Sequence, residues 1–596
     1  MDGAANRAGA TGIMAASVVV LGLLAPAPAA AVAETPARVP LEGVLKVTPV
    51  EPDATGGGAV VLVTADGARV ELTGDAVASA VSGDRFDGTV VVSEEVRAEV
   101  ARRTARSRTA DAAELGELVA DVSADTGAAL QVAAAEVEPS VSSSTAATAH
   151  TVDVLYAGLP GGDAPSTSVV DDLVERLDEF WVSQSNGQIA EVTRPLPVQY
   201  VEKTAAELCD QDGMWELAAG ASGFNRTGVT GAGSDSYYWA SENSAHLVVL
   251  VPAGVCDGAI GQATVGRLHA GGIVWAAVDP ASPEDWDGVV FHEIGHNLGL
   301  EHSNATSCAR PAVDGPECAQ VEYRDFYDVM GGSYTWGEHS NTRHIAELNV
   351  THKALLDALP RGTALREVRA SGSFTLAAAS SLAGTRGLEV HDPLTGDVLY
   401  IEYRSGTGRD AQSFYTGVSA ESWAGAAAYA PGVRVLRVGC TPASACTGWQ
   451  SRTSTVLPRW AGSTAVMSYG AGNTFVSRAT SAGASGVRIA VTSVSAASAR
   501  VRVSLAPHTL TAATPRVSGK PRVGSKLTAL RGHWTAGTTI SYRWFVGGKA
   551  VSGATKKTFT PRAAHKGKKV KVRVTGKKPG YTTVVKTSKA TRAVTR

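Results

Sequence analysis

Between residues 291 and 302 the chain reads FHEIGHNLGLEH, which sets His292, Glu293, His296, Gly299 and His302 in the order H-E-x-x-H-x-x-G-x-x-H. On a helix, His292 and His296 stand four residues apart and project from one face at neighbouring heights, as two ligands of one ion must. Glu293 sits one step round from that pair. A glycine at 299 can take the positive φ that ends a helix, which lets the chain turn and bring back His302 as a third nitrogen ligand. Three neutral imidazoles around one Zn²⁺ leave a coordination position for water, the feature that separates a catalytic from a structural zinc site. The chemistry expected of the set is hydrolysis: the ion lowers the pKa of its water towards about 7, and Glu293 takes the proton as general base. A bare HExxH can arise by chance, but the added glycine and third histidine make coincidence a poor account. No G-x-S-x-G elbow surrounds a serine, which argues against a serine-triad enzyme.

The flanking residues must hold these ligands rigid, because ligand direction sets metal geometry. Asp285, Trp286 and Asp287 open the expected helix, their carboxylates suiting its N-terminal dipole, and Val289, Val290, Ile294 and Leu298 supply apolar faces. The run GIVWAAV at 272–278 reads as a strand just before this helix; placed at the edge of a sheet beside the cleft, it would pair with an extended peptide substrate, main chain to main chain. Core packing explains the same residues equally well. Upstream, 151–156 reads as a strand, 168–183 as an amphipathic helix on Val169, Leu173, Leu177 and Phe180, and 246–251 as a buried strand.

After His302 a cysteine-bounded loop leads to EYRDFYDVMG at 322–331. The long histidine motif followed by D-V-M-G resembles the metzincin zinc metalloproteases, and HEIGHNLGLEH with YDVMG is most similar to the gametolysin-like branch and related secreted bacterial enzymes. The resemblance covers about residues 150–360. It implies that Met330 lies in a Met-turn beneath the three histidines, as a packing floor and not a ligand. His339, His344 and Tyr334 follow that turn and are candidates for the cleft, although surface or core placement is the simpler reading.

Length and composition place this segment in a larger frame. At 596 residues the chain exceeds one hydrophobic core, and its fold class is expected to be multidomain: an α/β (α+β) metzincin-like catalytic domain followed by all-β sandwich domains. Arg7, the apolar run 13–24 and Ala31-Val32-Ala33 compose a secretory signal over 1–33, so the mature protein is expected to be secreted, with no membrane span. Residues 34–149 carry strand-like runs at 59–64 and 88–92, a helical, charged stretch from 93 to about 135, and a Ser/Thr/Ala linker near 140–148. A separate segment ahead of a protease-like domain reads as a propeptide, the alternative being an accessory domain that stays attached. Arg102, Arg103, Arg106 and Arg108 are either a processing site or, more simply, a solvated helix face; with no cysteine in this segment, a thiolate cannot cap the metal. The six cysteines, Cys209, Cys256, Cys308, Cys318, Cys440 and Cys446, fit export; spacing favours local 308/318 and 440/446 loops, which leaves 209 with 256, but does not determine the connectivity.

Residues 361–507 alternate in the manner of a β-sandwich or jelly roll, with runs at 398–403, 432–438, 487–491 and 499–505, similar to the β domain that trails the catalytic domain in the resembled enzymes. Residues 508–596 look like the Lys-rich immunoglobulin-like modules of secreted bacterial surface proteins, with Trp544 as a core residue. From 509 to 596 there are 21 Lys plus Arg and no Asp or Glu, against a net charge of −3 for the whole chain. Such a surface attracts polyanions, and an anionic cell-wall polymer or acidic glycan is expected, with no motif for specific nucleic acid. Calcium is a possible second cofactor with no residues assigned. The reading is therefore a secreted zinc endopeptidase acting on protein or peptide substrates; its rival is a non-catalytic wall-binding adhesin that uses a protease-like scaffold.

Overall fold

The computed structural model describes residues 37–49, 58–104, 112–139, 147–222, 233–240, 243–256, 258–309, 312–315, 317–333, 335–336, 339–340, 342–413, 419–422, 425–439, 452–478, 485–578 and 581–596. The expected signal segment, Arg106, Arg108, Tyr334, Cys440 and Cys446 lie outside the described residues.

Five strands close the N-terminal barrel: β1 (Arg38–Val47), β2 (Val60–Val63), β3 (Arg69–Thr73), β4 (Arg85–Val91) and β5 (Leu130–Glu138), in the order β1-β2-β3-β5-β4. Two helices, α1 (Glu94–Thr104) and α2 (Ala112–Thr126), lie between β4 and β5. The helical stretch expected to reach 135 stops at Thr126, where Gly127 takes a φ of 67°. Alanines 133–135 favour helix locally, but β5 finds an antiparallel partner in β4 and a parallel one in β3, so ladder pairing overrides propensity. Arg102 and Arg103 pair with Glu99 on the exposed face of α1.

A second sheet carries β10 (Gly261–Ala263), β11 (Gly272–Val278), β9 (Ala245–Pro252), β6 (Thr148–Gly158) and β7 (Ile189–Thr193) in that order, with β8 (Gln199–Glu202) also on β6. All its pairs are parallel except β10 with β11. The helices α3 (Thr167–Gln184) and α7 (Trp286–Asn297) cover the face that bears Val154, Val248 and Val274. The other face, with Leu247, Val249, Ile273 and Trp275, packs under α4 (Ala205–Leu208), α5 (Gln211–Ala221) and α6 (Ser236–Trp239), together with Val44 and Val63 of the barrel. Of the two readings of 272–278, the fold bears out core packing and not the edge: β11 lies between β9 and β10 and is buried on both faces, and the sheet edge on that side is the three-residue β10.

The expected division at residue 360 is crossed by a sheet. β12 (Ser303–Ser307), directly after His302, pairs in parallel with Ser454–Val456 and antiparallel with β13 (Ala319–Val321). The seven-stranded sheet continues through Gly432–Val438, Val398–Arg404, Gly387–His391 and Leu365–Val368. A four-stranded sheet of Gly372–Ala377, Ser498–Leu505, Val487–Val494 and Thr474–Val476 packs on it through a shared core that includes Leu388, Ile401, Ile489 and Val501, which makes a sandwich. The C-terminal strands form a smaller β module around Trp544, which is fully buried, stacks on Phe559 and donates its indole N–H to Lys556 O. Along Val570–Lys577 the cations Lys571 and Arg573 alternate outward with buried valines. The disulfides Cys209–Cys256 and Cys308–Cys318 are formed.

Beneath the turn that holds Met330, the sandwich contributes a buried charge network. Arg434 pairs with Asp325 and, at 3.0 Å, with Glu402; Arg404 pairs with Glu402 at 2.8 Å and with Asp410 at 3.1 Å; all five side chains are at most 1% exposed. Burial pushes the Asp410 carboxyl up, to about 6, against the pull of Arg404. Replacing Arg434 by Met takes the paired cation from buried Asp325, while Glu402 keeps Arg404, and is expected to cost about 3–5 kcal/mol, read as a lower urea midpoint for the 303–505 region.

Candidate metal centre

Helix α7 ends as the sequence requires. Gly299 takes a φ of 86°, its N–H bonds to His296 O at 2.8 Å, and Leu300 N–H bonds to Gly295 O at 2.9 Å, the paired bonds of a Schellman cap. The glycine is needed for space as well as conformation, since a Cβ there would lie 2.6 Å from Gly266 O and 2.9 Å from the Arg452 guanidinium. The turn brings His302 back to the helix, so that His292, His296 and His302 face one another with ligand atoms all within 4.8 Å. All three are buried.

Each ring is oriented from behind. His292 Nδ1 donates to Val329 O at 2.8 Å, His296 Nδ1 to Leu300 O at 2.9 Å, and His302 Nδ1 to Glu322 Oε1 at 2.7 Å. Donation from Nδ1 selects the tautomer whose Nε2 lone pair points inward. His292 Nε2 and His296 Nε2 then stand 3.2 Å apart, two acceptors that repel unless a cation lies between their lone pairs. The donor set therefore fits a tetrahedral N-ligated ion such as zinc, and residues 292, 296 and 302 would hold it.

Residues 161–325 match the model of the Metallo-peptidase family M12B Reprolysin-like. The match ends before Met330 and supports a metallopeptidase domain in this part of the chain. No curated protein matches the sequence. Among solved structures, the chain is similar to catalytic inactive OgpA from Akkermansia muciniphila, crystallised with an O-glycopeptide (glycodrosocin) substrate, at 11% identity over 75% of this chain and 95% of that one. The TM-score of 0.21 is too low for that likeness to bear on the fold or site of this chain.

Met330 is fully buried under α7, where a Cβ on Gly295 would overlap its sulfur; its N–H bonds to Asp328 Oδ1 at 2.9 Å, and its carbonyl accepts from Ser303 N at 2.6 Å. Asp287 at the start of α7 is gripped by Arg176 at 2.8–3.0 Å, and Asp285 by Arg343 at 2.7 and 3.0 Å. Asn297 fastens the other end, with its amide donating to Thr264 O and Ile273 O and its Oδ1 3.0 Å from His246 Nδ1. Glu293 is buried beside β10; Gly261 lies so close that a Cβ would overlap its carboxylate. His344 lines a separate polar cavity of about 550 Å³ with Arg176, Asp287 and Arg409, which none of the three histidines lines, and the His339 side chain lies outside the described residues.

Two site residues were not singled out from the sequence. Glu322 orients His302. Tyr323 places its hydroxyl 3.2 Å from His302 Nε2, with its ring 4.3 Å from that imidazole. Its φ of 57° is unusual for a bulky residue and is held by Asn304 Oδ1 accepting from its N–H and by its own carbonyl accepting from Gly332 N. Positive φ at a tyrosine has no sequence signature, and the only cue was a carboxylate and a phenol lying between the third histidine and the D-V-M-G turn.

Replacing Glu322 by Gln or Ala should weaken zinc binding about 10–100-fold, read by competition with a chromogenic chelator. The site floor also has a pH signature. Burial alone would raise the Asp328 carboxyl, but His352 at 3.0 Å, with N–H donors from Asn349 and Met330, outweighs it and holds the group down at about 2. A carboxyl depressed in the folded state stabilises above its unfolded pKa of about 3.9 and loses that contribution as pH falls towards 2, a span worth about 2.6 kcal/mol. Unfolding free energy is therefore expected to drop across that window, and Asp328→Asn to flatten the drop.

Proposed function

We propose that the protein is a secreted zinc-dependent endopeptidase in which His292, His296 and His302 hold the ion and Glu293 is the general base. The observation that carries the reading is the buried three-histidine cluster with Glu293 on the helix that bears His292 and His296, beside the short edge strand β10. Zinc bound there supplies Lewis acidity, which polarises a carbonyl and makes a water at the site acidic enough to lose its proton near neutral pH. Glu293 accepts that proton and returns it to the departing amine. The Tyr323 hydroxyl, beside His302, is placed to donate to the oxygen that gains charge as the carbonyl is attacked.

The peptide path follows from β10. Thr264 N bonds to Ile273 O and Ala277 N to Ile260 O, so alternate residues 260 and 264 face β11, and the main-chain groups of Gly261 and Ala263 face outward. An extended substrate adds there as a further strand. Because Gly261 crowds Glu293, the paired peptide passes the base at a set height. The basic C-terminal strands add a non-covalent hold on an anionic wall polymer or acidic glycan, which weakens as salt rises.

Glu293→Gln is expected to keep the metal and lose most turnover of a general protein substrate; retention of full activity would refute the assignment. Gly261→Ala is expected to retain zinc while lowering kcat at least tenfold, because the methyl displaces the base. Unchanged kinetics with normal zinc content would show that β10 does not border the reacting groups.

A further inference from the structure

The N-terminal barrel meets the peptidase segment through contacts of an interior kind. Lys46, 5% exposed at its side chain, leaves β1 and enters a socket in the peptidase segment. There its ammonium lies 3.1 Å from Asp235 and 2.7 Å from Asp212, and 4.7 and 5.9 Å from the ring centres of Trp215 and Trp239. Asp235 is 1% exposed, so the lysine supplies the countercharge of an acid buried in the other segment. A reciprocal pair runs the other way: Arg267 reaches the buried Asp84 of the barrel, with Nη2 3.0 Å from Oδ2. Main chain is shared as well. Val265 N–H donates to Val47 O and Val265 O accepts from Ser82 N, both at 2.8 Å, and the Val265 side chain is counted in the barrel core. In exchange, Val44 and Val63 fill the core between the sheet and α5 and α6.

We infer that the barrel is a permanent constituent of the peptidase fold, one that stays docked as a non-covalent subunit if the 139–147 connection is cut, rather than a segment released on activation. Three physical reasons lead there. β9 and β11 are buried on both faces, and the barrel is part of the cover on one of them. Taking the barrel away removes Lys46 and also Arg69, whose guanidinium lies 4.0 Å from Asp235, and so strands that buried acid; breaking a buried pair from one side is among the most costly changes a fold can suffer. The outward N–H and C=O of Val265, next in line after Gly261 and Ala263, are satisfied by the barrel, so release would also bare two backbone groups. The barrel thereby forms an end wall of the β10 edge, and a peptide paired along that strand stops short of residue 265.

The inference does not depend on catalysis and is tested without it. A recognition sequence for a site-specific protease is inserted between Ser140 and Ala146 of the full-length Glu293→Gln protein, and the cut product is run through gel filtration in high salt, where buried pairs are little screened. Co-elution of both fragments at the mass of the uncut chain is expected. Separation of the barrel from a remaining fragment that keeps its circular dichroism would overturn the inference. In the uncut protein, Lys46→Met is expected to lower the melting of barrel and peptidase segment together, followed by hydrogen exchange in each. A shift confined to the barrel, with exchange in β9 and β11 unchanged, would overturn it equally.

Discussion

Three imidazole lone pairs aimed at one another inside a protein repel, and the rest of this structure is arranged around that constraint. His292, His296 and His302 are buried and close enough for their ligand atoms to lie within 4.8 Å. Left to themselves, the rings would turn their acceptor nitrogens elsewhere. They do not, because each Nδ1 is committed to an oxygen with its own scaffold: Leu300 O from the cap of α7, Val329 O from the turn before Met330, and Glu322 from the end of β13. A cation converts the repulsion into ligation, so metal affinity and the stability of these segments are one quantity viewed from two sides.

That coupling explains why the sandwich cannot be regarded as an appendage. The strand leaving His302 pairs with Ser454–Val456, and His302 O itself accepts from Ser454 N. Arg452 packs on Gly299 and faces the buried Glu301 inside the histidine motif. Arg434, itself held by Glu402, holds Asp325, and Glu402 also caps the start of α8 (Val350–Leu355) by accepting from Val350 N. Burial of so much charge is weak evidence of stability, since an apolar core of equal volume often does as well. Its value here is directional: Asp325 and Asp328 sit three residues apart and are held by opposite partners, Arg434 on one side and His352 on the other, so the turn between them and Met330 has one position.

What the sequence made legible was local. The spacing of FHEIGHNLGLEH determines helix, cap and returning histidine within twelve residues, and α3, β6 and β9 announce themselves by periodicity. Non-local choices were not legible. β10 is three residues, Gly-Gln-Ala, with no apolar run to mark it, while GIVWAAV fits an edge or a core strand by position, and its unbroken apolarity is what an interior strand shows. β5 hid behind three alanines, because barrel closure is decided by distant partners, β4 and β3, upstream of both helices. A sheet crosses residue 360 for a related reason: β12 and β13 are short and polar, and only the pairing of β12 with Ser454–Val456, with β13 on its other side, makes them part of the sandwich.

The short edge has a further consequence for recognition on the proposed reading. A bare sheet edge invites indiscriminate pairing, and proteins usually shorten or cover it. Here β10 is bounded at one end by Gly261 against Glu293 and closed at the other by Val47 and Ser82 on Val265. Between those limits about two residues of substrate find main-chain partners, a length of roughly 7 Å. So short a ladder can align a peptide with the base but gives little affinity, since each hydrogen bond exchanged with water is worth only about 1 kcal/mol. Discrimination between substrates must then come from side-chain contacts beyond β10, while the backbone contributes register alone.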